Sequence, residues 1–202
     1  LISLANAFSV PVIFDEVQTG FHLGRDFFWH KQFSLKDSSD EDLTPDFITC
    51  AKKSQVGLVI SKCHQVNIEE YQTSSLIRGY AHAIALDQSK NLILNLEKES
   101  NKRLISLHKK FSEFTENPRG LGLAFAIDIK DSANIAKLIQ LRFKYGLLYY
   151  PAGQKTLRFR LNTSFTLKDL DYLFNQLTLI FDDILCNNSS ASADPSHRLQ
   201  AE

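Results

Sequence analysis

VPVIFDEVQTGF, residues 10–21, carries the clearest fold signal in the chain. A β-branched apolar run ends abruptly in Asp15 and Glu16, and a polar Gln18 and a flexible Gly20 follow. The preceding LISLANAF, residues 1–8, repeats its apolar positions at helical spacing, so this is the helix-to-strand step of an α/β protein with a strand buried on both faces. Open α/β sheets place their ligands at the carboxyl ends of such strands. A carboxylate in that crevice must be compensated, because an unpaired charge in a low-dielectric place is costly.

A polar loop rich in Asp and Ser, KDSSDEDLTPD (36–46), leads into a second short apolar run, DFITC (46–50), which delivers Ala51-Lys52-Lys53. Asp15 and Lys52 thus stand at the ends of two strands of one expected sheet. A structural acid–base pair is the common use of such residues. A pyridoxal phosphate site is the chemical one, since that cofactor needs a lysine to form a Schiff base and an acid to keep its pyridine nitrogen protonated.

VGLVIS (56–61) reads as a further strand, and residues 81–115 as long helix with a bend near Glu97 to Asn101. NPRGLGLAFAIDI (117–129) reads as a turn and then a strand, and DSANIAKLIQLRFKYG (131–146) as an amphipathic helix closed by Gly146. LLYYPAG (147–153) and TLRFRLNTSF (156–165) read as strands, followed by a closing helix over 166–185 with Thr166 at its N-cap. The expected organisation is an α/β piece over 1–98, a smaller α+β domain over 99–187 and a polar, unfolded tail over 188–202.

Twenty-three basic and twenty-three acidic side chains cancel, which argues against nucleic acid or an anionic membrane as partner and leaves function to a local site. No apolar stretch approaches the roughly 20 residues of a membrane span, and no signal peptide is evident, so the expected compartment is the cytoplasm. Cys50, Cys63 and Cys186 are expected as reduced thiols, and the scattered histidines make no metal pattern. The chain lacks methionine even at position 1 and opens within a helical pattern, which suggests a piece of a longer protein.

VIFDEVQTGF with Gly24-Arg25, Phe28-Trp29 and TPDFITCAKKSQVG (44–57) resembles the class III, or ornithine/4-aminobutyrate type, aminotransferases of the fold-type I pyridoxal phosphate group. The resemblance implies the cofactor-binding part of their large domain over 1–98 and their small C-terminal domain over 99–187. It implies that Asp15 pairs with the pyridinium nitrogen, that Gln18 touches the ring hydroxyl and that Lys52 is the catalytic lysine, since the family's lysine directly follows a small residue, here Ala51. Lys53 is then its structural neighbour. LLYYPAGQKTLRFRLNTSFT (147–166) resembles the segment that carries the family's carboxylate-binding arginine, which maps to Arg158. Where the family places a phosphate-reaching threonine, this chain reads YQTSSLIRGYAHA (71–83), which leaves Thr73, Ser74 or Ser75, with Ser75 taken as the phosphate contact. Gly57-Leu58 also departs from the family's pair of small residues.

The run Lys-Lys-x-Gln-Val (52–56) and Pro151 to Arg160 looks closest to the lysine 6-aminotransferases, which move the ε-amino group of L-lysine to 2-oxoglutarate and are expected to be homodimers. The 4-aminobutyrate and other omega-amino acid aminotransferases share most of the pattern. An inert remnant or interaction module is the reading from another class. The phosphate-cradling turn and the ring-stacking aromatic of the family precede the Asp strand, and have no counterpart between residues 1 and 15.

Overall fold

The computed structural model describes residues 1–62 and 74–191, and the side chains of all of these except 74–76 and 187–191. The chain divides into two compact units, residues 1–95 and 96–202, with the boundary inside a helix.

In the first unit, helix α1 (Ile2–Ala7) leads to strand β1 (Ile13–Asp15), which pairs in parallel with β2 (Phe47–Cys50); β2 pairs antiparallel with β3 (Leu58–Ser61). The sheet order β1-β2-β3 puts β1 at an edge. The VPVIF stretch was expected as a strand buried on both faces, and it is not one. Only three residues pair, and Ile13 is 62% exposed because no described strand covers the outer side of β1. Val10 to Val12 are held instead by a loop contact, in which the Val12 amide donates to Asp46 Oδ2 at 2.7 Å.

The expected long helix is two. Helix α2 (Ser74–Gln88) and helix α3 (Lys90–Lys110) break at Ser89, not near Glu97 to Asn101. The Ser89 hydroxyl donates back to the Ala85 carbonyl at 2.8 Å, the side-chain competition that bends or ends helices at serine. Leu86 of α2 joins Phe21 and Cys50 in a small core, with Phe27, Phe28, Ile48, Leu58 and Ala83 packed against it.

The second unit is a four-stranded antiparallel sheet of order β4-β5-β7-β6, built from β4 (Thr115–Leu121), β5 (Ala124–Ile129), β6 (Tyr150–Ala152) and β7 (Thr156–Arg160). Asn117-Pro118 was expected in a turn but lies within β4, at an irregularity of register between Glu116 and Arg119. A bulge is where a strand tolerates proline, which has no N–H for the ladder. Helix α4 (Ala133–Leu141) and helix α5 (Leu167–Ala191) complete the unit, and Phe174 of α5 stacks on Phe125 of β5 with ring centroids 5.6 Å apart. At the start of α5, Asp169 Oδ2 accepts from the Thr166 amide at 2.7 Å and the Asp169 amide donates to Thr166 Oγ1 at 3.3 Å, the reciprocal cap expected of Thr166. The helix continues to Ala191, past the expected start of the tail at 188, since extending a formed helix costs far less than starting one.

Candidate active site

The site begins with the register of two parallel strands. Asp15 lies opposite Thr49, so the residue after β1 and the lysine pair after β2 leave the same end of the sheet. Adjacent strands are about 4.8 Å apart, which brings the Asp15 and Lys52 segments side by side.

Asp15 is exposed, and its two donors converge on one oxygen. The Val17 amide donates to Oδ1 at 3.0 Å and the Thr49 hydroxyl to the same Oδ1 at 3.4 Å. Among the described residues none donates to Oδ2. The carboxylate is therefore oriented by its own turn and its neighbouring strand, with one oxygen left for a cationic N–H. Gln18 is exposed in the turn that follows.

Glu16, its neighbour in sequence, is buried at 4% exposure and fully engaged. It accepts from the Trp29 amide at 2.7 Å and the His30 amide at 3.0 Å, and His30 Nδ1 stands 2.6 Å from the same Oε1. A carboxylate can only accept, so His30 carries its proton on Nδ1. Glu16 thereby closes the 21–33 segment back onto β1, and its carbonyl accepts from the Gly20 amide at 2.9 Å.

Inside that segment Phe21 and His22 take left-handed backbone angles, φ 60° and φ 54°. The His22 ring is buried, with Nδ1 3.0 Å from the Arg25 carbonyl and Nε2 3.5 Å from Asp87 Oδ1. Burial holds its pKa below the ordinary histidine value, against the opposing pull of the Arg25 carbonyl and the Asp87 charge. Cys50 beneath is buried too, and its thiol is pushed up to about 11 by burial and then by the charges of Glu16 and Asp15.

Lys52 opens a short 3₁₀ turn, Lys52–Ser54, at φ 60°, and its side chain is exposed with no hydrogen bond among the described residues. Lys53 points elsewhere: its Nζ donates to the Phe21 carbonyl at 2.9 Å. The structure thus separates the two lysines by what their amines do. Ser75 lies in α2, and its side chain, like all of Thr73, is outside the described residues. Arg158 belongs to the second unit, where β7 alternates so that Leu157 and Phe159 are buried while Arg158 and Arg160 share the exposed face. The register sets Ala126 of β5 and Tyr150 of β6 beside Arg158. Burial, and then the like charge of Arg158, lowers the pKa of Arg160.

Asp15, Gln18 and Lys52 are thus brought to one end of one sheet. Three contributors escaped sequence reasoning. Glu16 read as the less specific acid of the pair, Thr49 as a strand residue and Lys53 as a neighbour. Only the Thr49 contact had a signal, because pairing β1 with β2 in parallel sets it opposite Asp15.

An exposed lysine and a half-occupied carboxylate at the ends of adjacent parallel strands fit a pyridine cofactor with an aldehyde. Comparison with known proteins agrees. The family model of aminotransferase class-III matches residues 1–181. The acetylornithine/succinyldiaminopimelate aminotransferase of Buchnera aphidicola is 28% identical over 190 residues, which cover 86% of this chain and 44% of that protein. The L-lysine-epsilon aminotransferase of Mycobacterium tuberculosis is 26% identical over 173 residues, covering 78% of this chain and 37% of the relative. The solved lysine aminotransferase from M. tuberculosis superposes with a TM-score of 0.75 at 22% identity, over 91% of this chain and 44% of that one. The chain therefore spans less than half the length of these relatives. On the match over residues 1–181 and the shared fold-type I architecture, the chain belongs to the class III aminotransferases, a pyridoxal phosphate-dependent family.

Proposed function

We propose that this chain carries the lysine, the ring-nitrogen acid and the carboxylate-binding arginine of a transaminase that moves the ε-amino group of L-lysine to 2-oxoglutarate. The observation that carries the reading is the Lys52 side chain, exposed and without a hydrogen bond among the described residues, just past the end of the strand that pairs in parallel with that of Asp15. Pyridoxal phosphate, when bound, supplies an aldehyde for the amine and an electron sink for the carbon from which a proton is removed.

The chain's own residues do the rest. Lys52 holds the cofactor and moves a proton, for which its amine must be neutral. Asp15 offers Oδ2 to the ring nitrogen while Thr49 and the Val17 amide fix Oδ1. Gln18 meets the ring hydroxyl and Ser75 the phosphate. Arg158 grips a substrate carboxylate with two parallel N–H donors, which suits a dicarboxylate acceptor. Residues 1–98 then belong to the large domain and 99–187 to the small one, in an enzyme that is a cytoplasmic homodimer.

L-lysine is preferred as donor because Lys52-Lys53-Ser54-Gln55-Val56 and the Pro151 to Arg160 segment resemble the lysine 6-aminotransferases. The 4-aminobutyrate enzymes share Asp15 to Gly20 and the double lysine. A second reading, an inert remnant that keeps the fold, is favoured by the loss of the family's threonine pattern at 71–83. One titration separates them: pyridoxal phosphate added to the chain should give the visible band of a lysine-bound cofactor, and Lys52→Ala should abolish it. Absence of the band in the wild type favours the remnant. Where the band forms, glutamate release from 2-oxoglutarate should be faster with L-lysine than with 4-aminobutyrate.

A further inference from the structure

We infer that Lys53 is a positioning residue, bracing the turn that carries Lys52 against the turn that follows the acidic pair. Four residues without glycine's freedom adopt left-handed backbone here: Phe21 and His22 in one turn, at φ 60° and 54°, and Lys52 and Gln55 in the other, at φ 60° and 62°. Such conformations persist only where the surroundings over-determine them.

Lys53 touches both turns. Its Nζ donates to the carbonyl of Phe21 at 2.9 Å, across 32 positions of sequence, and its backbone belongs to the Lys52–Ser54 turn. From the other side, His82 of α2 donates Nδ1–H to the Lys53 carbonyl at 3.0 Å. Gly79, one helical turn before His82, packs so close to the Ser54 carbonyl that any side chain there would overlap it. The turn is closed within itself by the Gln55 amide and the Gln55 Nε2, which donate to the Lys52 carbonyl at 2.9 Å and 3.0 Å. Among the described residues the Lys52 side chain has no such tether.

The adjacent lysines therefore divide the work. An ammonium fixed on a carbonyl cannot also be the reactive amine, and an amine that must reach a cofactor cannot hold a strained turn. Lys53 sets where the Lys52 backbone stands relative to the Asp15 segment. That Lys52 is the cofactor's lysine rests on the function proposed above, while the brace rests on geometry alone.

Two readouts on the full chain test this separately. Amide hydrogen exchange follows His22 and Gln55, whose N–H groups bond Phe27 and Lys52 carbonyls within the two turns. In Lys53→Met both should exchange about tenfold faster while the β2–β3 ladder is unchanged, and Lys53→Arg, which keeps the cationic donor, should restore protection. Unchanged exchange at both amides overturns the brace. Should Lys53→Met lose its far-ultraviolet circular dichroism, Lys53→Gln makes the same comparison. Titration with pyridoxal phosphate then reads the consequence: the half-saturating concentration should rise at least about fivefold in Lys53→Met, recover in Lys53→Arg, and shift in its pH dependence. Equal affinity in wild type and Lys53→Met would overturn the positioning role. A wild-type chain that binds no cofactor at Lys52 would overturn the functional reading, and the exchange data would still decide the brace.

Discussion

Asp15 and Glu16 are neighbours with opposite surroundings, one exposed and half-occupied, the other buried under three N–H contacts. Removing one partner of a buried charged contact leaves the others unsatisfied, so Glu16→Ala should lower stability by about 3 kcal/mol in urea denaturation, and Glu16→Gln by less because its amide oxygen still accepts. Asp15→Asn should leave stability nearly unchanged in the same experiment, since its carboxylate is exposed. The positions of the candidate residues were legible: Asp15 and Lys52 stand at the ends of the two apolar runs, which pair in parallel. Glu16 was not, because its partner His30 lies fourteen positions away on a segment without periodicity. The thiols offer a further check. Cys50 is buried with its pKa raised to about 11, whereas Cys186 is exposed. Iodoacetamide at neutral pH should modify Cys186 and spare Cys50 until the chain is unfolded, as read by peptide mass.

Elements came through sequence reading where their signals are local. The Thr166 cap is such a signal: hydroxyl, acid and apolar run lie within one turn, and the structure closes them reciprocally. Thr166→Ala should lower the midpoint of thermal unfolding by about 3 °C, and Thr166→Ser should not. Elements were misread where a tertiary contact or one serine decided. The α2–α3 break comes from the Ser89 hydroxyl, while Asn101, in the region where a bend was expected, instead donates Nδ2 to the Gly120 carbonyl of β4 at 3.3 Å and stays helical. Asn117-Pro118 looked like a turn because proline usually marks one, yet the turn comes at Gly122, whose φ of 58° is easy for glycine.

For the molecule as a whole, the two units differ in how much apolar surface they bury. The second has continuous buried faces on β5, β7 and α5, with Ile127, Leu157, Leu177 and Ile180 fully buried. In the first, Ile13 and Val59 of the small sheet are 62% and 68% exposed. The apolar run at 10–14 looked like a buried strand because hydrophobicity marks residues suited to burial and does not say what packs over them, and Val10 and Ile13 are 55% and 62% exposed. Burial pushes the Asp128 carboxyl up, but hydrogen bonds from Thr156, Asn117 and Arg119 outweigh it and hold the pKa below the ordinary aspartate value. A lowered folded pKa stabilises above the unfolded value and loses that contribution as pH falls through the folded one. Thermal melts of the second unit's transition should therefore drop as acid is taken below the usual carboxylate range, and Asp128→Asn should start lower and show a shallower acid dependence.

Lys52, and not Lys53, is the lysine proposed to hold pyridoxal phosphate beside Asp15. Borohydride reduction of the chain incubated with pyridoxal phosphate, followed by peptide mass mapping, tests it directly. The phosphopyridoxyl mass should sit on Lys52, vanish in Lys52→Ala and weaken in Asp15→Ala. Label on Lys53, or spread evenly over the surface lysines, would contradict it.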